Sequence, residues 1–180
     1  NYSNGNRTFL FFDDFRSDTS ANYVVVGSGT KQYDSTNKVL KQTNTSQVQN
    51  WIICSVDSLP NNYVYQADVK IVNDPPNRNH AGLATDFSTS AVTGYRLTHL
   101  DTIFPISKWS TGAENWIGSF SDGGIYADNK WLTERVYRNR TTGLLKYEVT
   151  DGITTVSGSY TDTTHTTGHL GFHSWGCEVW

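Results

Sequence analysis

Between Tyr63 and Leu100 the chain alternates apolar and polar positions with period two. Tyr63, Tyr65, Ala67, Val69 and Ile71 fall on one parity and Gln66, Asp68 and Lys70 on the other, the pattern of a strand with one buried face. Asn73-Asp74-Pro75-Pro76-Asn77 ends it, because proline has no amide to give to a ladder and Asn and Asp favour turns. Ala81 to Phe87 reads as the next strand, Ser88 to Gly94 turns, and Gly94 to Leu100 alternates again. The spacing predicts three consecutive antiparallel strands at the centre of one sheet. Its polar parity would set Asp68, Lys70, Asp86, Arg96 and Thr98 side by side, as a solvated face or as a ligand platform; the pattern alone leaves both open.

The rest of the chain continues in short pieces. Phe9 to Phe15 is an apolar opening strand stopped by paired aspartates, with linker-like residues 1–8 before it. Tyr23 to Val26 and Lys38 to Thr43 suit peripheral strands, and Trp51 to Val56, apolar on both parities, suits one covered on both sides. Ile103 to Trp109, Trp116 to Phe120, Trp131 to Arg138, Leu144 to Val149, Ile153 to Ser157 and Gly168 to Trp175 follow, with Asp151-Gly152 as a hairpin turn. No window has helical periodicity. Roughly a dozen strands with turns between them predict an all-β fold, a two-sheet antiparallel β-sandwich of jelly-roll type. One core is the expectation, so residues 1–180 read as a single domain.

Composition narrows the partners. Charged residues make up 17%, methionine is absent and the net charge is -3, with no basic cluster to follow a phosphate backbone. Nucleic acid is therefore not expected. No apolar run approaches the roughly 18–20 residues of a spanning helix, so membrane insertion is not expected either. Asn1 is not a start methionine, which suggests a mature or excised piece of a longer chain. Asn-x-Ser/Thr triplets at Asn1, Asn6, Asn44 and Asn139 are possible glycosylation acceptors. The strand carrying Cys54 is expected beside the final strand, which would bring Cys177 within range of a disulfide; two separate buried thiols are the alternative.

Two aromatics stand out chemically. Trp109 and Trp116 bracket the polar stretch Ser110 to Asn115, and rings displayed at a loop suit stacking on the apolar faces of sugars. A cover over the end of the core is the plainer reading. Asp68, Arg96, Arg135 and Tyr137 would supply the floor of that platform. Glu114, Glu134, Glu148 and Glu178 are candidates for acid and base roles, but no two fall on one predicted strand, and a glycosidase pair must flank the scissile bond. His165, His169 and His173 recur every four residues, yet on a strand His169 and His173 would lie about 13 Å apart, so no zinc site follows.

The succession Phe11-Phe12-Asp13-Asp14-Phe15, Tyr63 to Ile71, Ala81-Gly82-Leu83-Ala84, Gly94-Tyr95-Arg96-Leu97, the strand headed by Trp131 and Gly168 to Trp175 resembles the concanavalin A-like, laminin G-like jelly-roll domains of archaeal and bacterial extracellular multidomain proteins. The resemblance covers nearly the whole chain and implies a carbohydrate-binding-module-like, extracellular domain, secreted or at the cell surface, with neighbouring domains in a parent chain. Jelly rolls of this kind can hold a structural calcium ion, for which Asp13 and Asp14 are the candidate ligands, with an edge-strand cap as the alternative reading of the pair; no other cofactor is expected. Relatives carry a closing strand after the terminal Trp-containing turn, so a chain stopping at Trp180 would lack it and leave the opening strand with a bare edge. The expected function is non-catalytic binding of a poly- or oligosaccharide on a concave sheet face. The alternatives are a structural or adhesive surface module, and a glycan-active hydrolase or lyase.

Overall fold

The computed structural model of the protein describes residues 13–43, 49–55, 59–72, 80–111 and 113–180. Alternation of the predicted kind forms its strands: along Trp131–Asn139, Leu132, Glu134, Val136 and Arg138 are buried while the residues between them are half-buried or exposed. Such strands build two seven-stranded sheets. In spatial order the first holds β1 (Tyr23–Gly27), β4 (Gln49–Cys54), β13 (His169–Trp175), β6 (His80–Ser88), β7 (Thr93–Leu97), β8 (Ile103–Ser110) and β9 (Ala113–Ser121). The second holds β12 (Thr155–Thr161), β11 (Leu144–Thr150), β10 (Trp131–Asn139), β5 (Asn62–Val72), β14 (Glu178–Val179), β3 (Val39–Gln42) and β2 (Lys31–Asp34). All named pairs are antiparallel, as expected of an all-β sandwich.

The core lies between the sheets. Tyr95, Leu97, Phe104 and Ile106 of the first meet Leu132, Val136, Leu145, Tyr147 and Val149 of the second, and Ala81 and Leu83 meet Val69 and Ile71. That second contact corrects the expectation of one central sheet. β5 faces β6 across the core rather than pairing beside it, so the polar parities of β5 and β7 look outward on opposite sides of the molecule. Period two says which residues are buried but not which sheet a strand joins.

Other differences are local. Of the expected opening strand, residues 9–12 lie outside the described residues, and 13–15 are not strand. The Asn73–Asn77 turn also lies outside them. Lys31–Asp34 and Glu178–Val179 are strands the alternation did not reveal, being short. β9 begins at Ala113, so the stretch between Trp109 and Trp116 is mostly ladder, with Glu114 paired to Trp109.

The expected disulfide is not formed. Cys54 and Cys177 are both buried but not bonded to each other. Their strands are neighbours as anticipated, yet antiparallel pairing of Ile53 with Gly171 and of Gln49 with Trp175 puts Cys54 at one end of the pair and Cys177 beyond the other. At the strand rise that separation is roughly 20 Å, against the 7 Å or so beyond which Cα atoms cannot be bridged.

Candidate functional site

Arg96 sits in the middle of β7, between Tyr95 and Leu97, which point into the core. Alternation therefore turns its side chain to the outer face of the first sheet. It is not exposed there: its residue accessibility is 0%. Nε donates to Ser107 Oγ (3.0 Å) on neighbouring β8, and Nη1 donates to Gln49 Oε1 (3.2 Å) and to the ring of His173 (2.6 Å to Nε2). The guanidinium carbon lies 5.0 Å from the ring centre of Trp109 and 5.9 Å from that of Trp51. Indole surface in contact with a guanidinium favours the cation and shields it from water.

The outward end of this network is a carboxylate. Arg96 Nη2 lies 2.6 Å from Glu114 Oε1, an ion pair in which the arginine side chain is 1% and the glutamate 23% exposed. The same oxygen accepts the indole N–H of Trp116 at 3.1 Å, and Trp116 is 48% exposed. Burial and Glu114 oppose each other at Arg96, and burial prevails in lowering its pKa; a guanidinium nonetheless stays charged. A solvent-facing indole thus stands beside a carboxylate held by a charged group that cannot move away.

The sequence-predicted residues divide between the two outer faces. Arg96, Trp109 and Trp116 come together on the first sheet. Trp109 is not a displayed ring but a buried one, 6% exposed and packed edge-on against Trp51 at 5.7 Å. Asp68, Arg135 and Tyr137 lie on the outer face of the second sheet, where β10 pairs with β5 and β11. There Thr133 donates to Asp68 (2.6 Å), Arg135 Nε to Gln66 (2.6 Å), and Tyr137 and Lys146 to Glu148 (2.7 Å each). The six residues therefore do not share one floor.

Glu114, Ser107, Gln49, His173 and Trp51 were not read as site residues. The available signal was at Glu114, which falls between the two tryptophans. The others become neighbours only through pairing of β4, β13, β6, β7 and β8, which no local spacing encodes.

Asp13 and Asp14 act as turn residues. Asp13 accepts from the Phe15 amide (2.9 Å), the Thr19 hydroxyl (2.6 Å) and the Tyr23 hydroxyl (3.0 Å), and Asp14 pairs with Arg16 at 2.9 Å. Among the described residues no three Asp, Glu, His or Cys side chains gather as a metal site. Both oxygens of each carboxylate are thus engaged within this turn, by the Phe15 and Arg16 amides, the Thr19 and Tyr23 hydroxyls and the Arg16 guanidinium. Asn139 ends β10 and accepts the Thr142 amide at 2.9 Å; Asn1, Asn6 and Asn44 lie outside the described residues.

No protein-family model matches the sequence, and neither does the sequence of any curated protein. Solved structures do match. A carbohydrate binding module, CBM66, from Bacillus subtilis superposes with a TM-score of 0.71 over 88% of this chain and 90% of its own, at 17% identity. The seed lectin of Lotus tetragonolobus gives 0.65 over 93% of each chain at 12% identity, and a lectin from Bauhinia forficata in complex with GalNAc gives 0.62 over 93% of each at 13%. The fold is that of the concanavalin A-like lectins and of this bacterial module, an all-β jelly-roll sandwich.

Proposed function

We propose that this chain is a non-catalytic carbohydrate-binding module whose site lies on the outer face of the first sheet, at Trp116 and Glu114. The observation that carries the reading is the exposed indole hydrogen-bonded to a carboxylate that the buried Arg96 fixes in place. Trp116 supplies apolar surface for a sugar ring, and Glu114, anchored from below, is an acceptor for hydroxyl groups at a set height beside it. The fold shared with a carbohydrate-binding module and with lectins supports the class of ligand. An extracellular location goes with this reading, supported by a surface made soluble by neutral polar residues, with charged residues only 17%.

Placement of the glutamates speaks for binding rather than hydrolysis. Glu114 lies on the outer face of the first sheet and Glu134 in the core, while Glu148 and Glu178 are both on the outer face of the second but on β11 and β14, with β10 and β5 between them. No two of them flank a common space in the way a glycosidase pair must. The test is a glycan array probed with the parent, Trp116→Ala and Glu114→Gln. Binding by the parent that both variants lose is the expected result. A parent that binds no glycan sinks the proposal and leaves the adhesive module as the better reading.

A further inference from the structure

Arg96 is held from two strands away. Phe172 packs into the core, so alternation turns its neighbour His173 on β13 to the same outer face as Arg96 on β7. β6 runs between these strands and sets Gly82 opposite His173 and Ala84 opposite Arg96. Neither carries more than a methyl group. The histidine ring and the arginine therefore meet over β6, although their strands stand two interstrand steps apart, about 9.6 Å. Both residues are 0% exposed, and Trp51 lies against the His173 ring at 4.3 Å between centres.

Donors and acceptors assign the state of that ring. A guanidinium donates and never accepts, and Arg96 Nη1 lies 2.8 Å from His173 Nδ1 and 2.6 Å from Nε2. Nε2 also contacts Gln49 Oε1, which accepts from Arg96 Nη1 and is thereby fixed as the oxygen of its amide. One neutral tautomer satisfies all three side chains: Nε2 carries the proton and gives it to Gln49, while Nδ1 accepts from Arg96. An imidazolium has no lone pair to offer the arginine. With Nε on Ser107 and Nη2 on Glu114, the contact at Nη1 completes the set, so each guanidinium nitrogen has a partner that fixes the plane of the fork.

We propose that His173 is the positioning residue of the glycan site: as a neutral acceptor it holds Arg96 so that Nη2 meets Glu114, and through Glu114 it sets the Trp116 indole. This rests on the reading of Trp116 and Glu114 as that site and adds what orients it. His173 itself touches no ligand. Loss of its acceptor leaves a charged N–H unpaired in a dry place, where an unmade hydrogen bond is costly. The guanidinium relieves this by turning, and Glu114 then loses its fixed height beside the indole.

The experiment compares the parent with His173→Phe, which keeps a ring against Trp51 but has no acceptor, and with His173→Gln, whose amide again offers one acceptor and one donor. NMR of the His173 ring nitrogens in the parent at neutral pH should show the proton on Nε2 and none on Nδ1. In His173→Phe the Trp116 indole N–H resonance should move toward its position in Glu114→Ala, and binding of the glycans found on the array should weaken about tenfold or more. His173→Gln should restore both to near the parent's values. An imidazolium, or a proton on Nδ1, overturns the proposal, and that measurement needs no variant to fold. A Phe variant with the parent's indole resonance overturns it, as does a Gln variant that behaves like Phe, since packing of the ring would then be all that matters. A parent that binds no glycan sinks the reading of the site, whereas the indole and histidine resonances, which need no ligand, still decide whether His173 positions Glu114.

Discussion

Arg138 Nε lies 2.6 Å from Asp86 Oδ2 with both side chains fully buried, and the contact ties β10 in one sheet to β6 in the other. Arg140 Nη2 reaches the second oxygen at 2.7 Å, and the Tyr63 hydroxyl donates to it at 2.9 Å. Asp86 occupies a left-handed backbone conformation (φ 52°) between Thr85 and Ser88, where the β6–β7 register shifts. Removing the carboxylate strands two guanidiniums in a dry interior. Asp86→Asn, which tolerates the same backbone angle, should lower stability by about 3–5 kcal/mol. Asp86→Ala should lose a further 1–2 kcal/mol or so from the left-handed angle. Urea unfolding of both variants measures the difference, and an Asn variant as stable as the parent would refute the hub.

Glu134 gives the fold a pH dependence. It is 2% exposed, and burial pushes its pKa up to about 8, moderated by the Leu83 amide at 3.0 Å. Below pH 4.5 the carboxyl is protonated folded or unfolded. As pH rises toward 8 only the unfolded chain ionises, so the fold loses up to about 1.4 kcal/mol per unit. His99 acts in the opposite sense: burial lowers its pKa to about 4, and its contribution, complete above 6.5, is lost as pH falls to 4. The two slopes oppose each other between 4.5 and 6.5, leaving Glu134 alone above that. Melting temperature should therefore fall from pH 6.5 to 8 in the parent and stay flatter in Glu134→Gln. Parallel curves would argue against a neutral buried carboxyl.

The two tryptophans of the β8–β9 hairpin should separate cleanly. Trp109→Ala removes a buried ring from the Trp51–Phe87 cluster and should cost about 3–5 kcal/mol of stability. Trp116→Ala should leave the melt within about 0.5 kcal/mol of the parent while weakening glycan binding by about thirtyfold, near 2 kcal/mol. A Trp116 variant that melts early, or binds unchanged, contradicts this division.

Thiol titration of the denatured, unreduced protein should find both cysteines reactive, and reductant should leave the melting temperature of the native protein unchanged. Titration of no thiols would mean that the strands reach a different register from Gln49 opposite Trp175.

Much of this was legible in the chain. The strand expected from Trp131 to Arg138 is β10, and the alternation of Leu132 and Val136 with Thr133 and Arg135 along it is the alternation of its inward and outward sides; the expected neighbourhood of β4 and β13 is also present. What failed was whatever depends on distant pairing. The Cys54–Cys177 expectation had the right neighbours and the wrong ends, because adjacency does not contain register. Arg96 was read as a floor residue because a charged side chain on a strand's polar parity is normally solvated. It is buried because Trp51 and Trp109, from two other strands, lie against it. Asp68 joined it in that expectation only because β5 was assigned to the wrong sheet.

On the outer face of the second sheet, Asp34, Asp68, Glu148 and Glu178 are interleaved with Lys41, Lys70, Arg135 and Lys146, and Lys41 pairs with Asp34 at 2.6 Å while Glu148 takes Lys146 at 2.7 Å. Among the described residues, charges of both signs in equal number and in such close alternation largely cancel over distances shorter than the Debye length of about 8 Å at physiological salt. That side of the molecule projects almost no field into solution. It gives ion-exchange surfaces and stray polyelectrolytes nothing to hold, so adsorption through it stays indifferent to ionic strength.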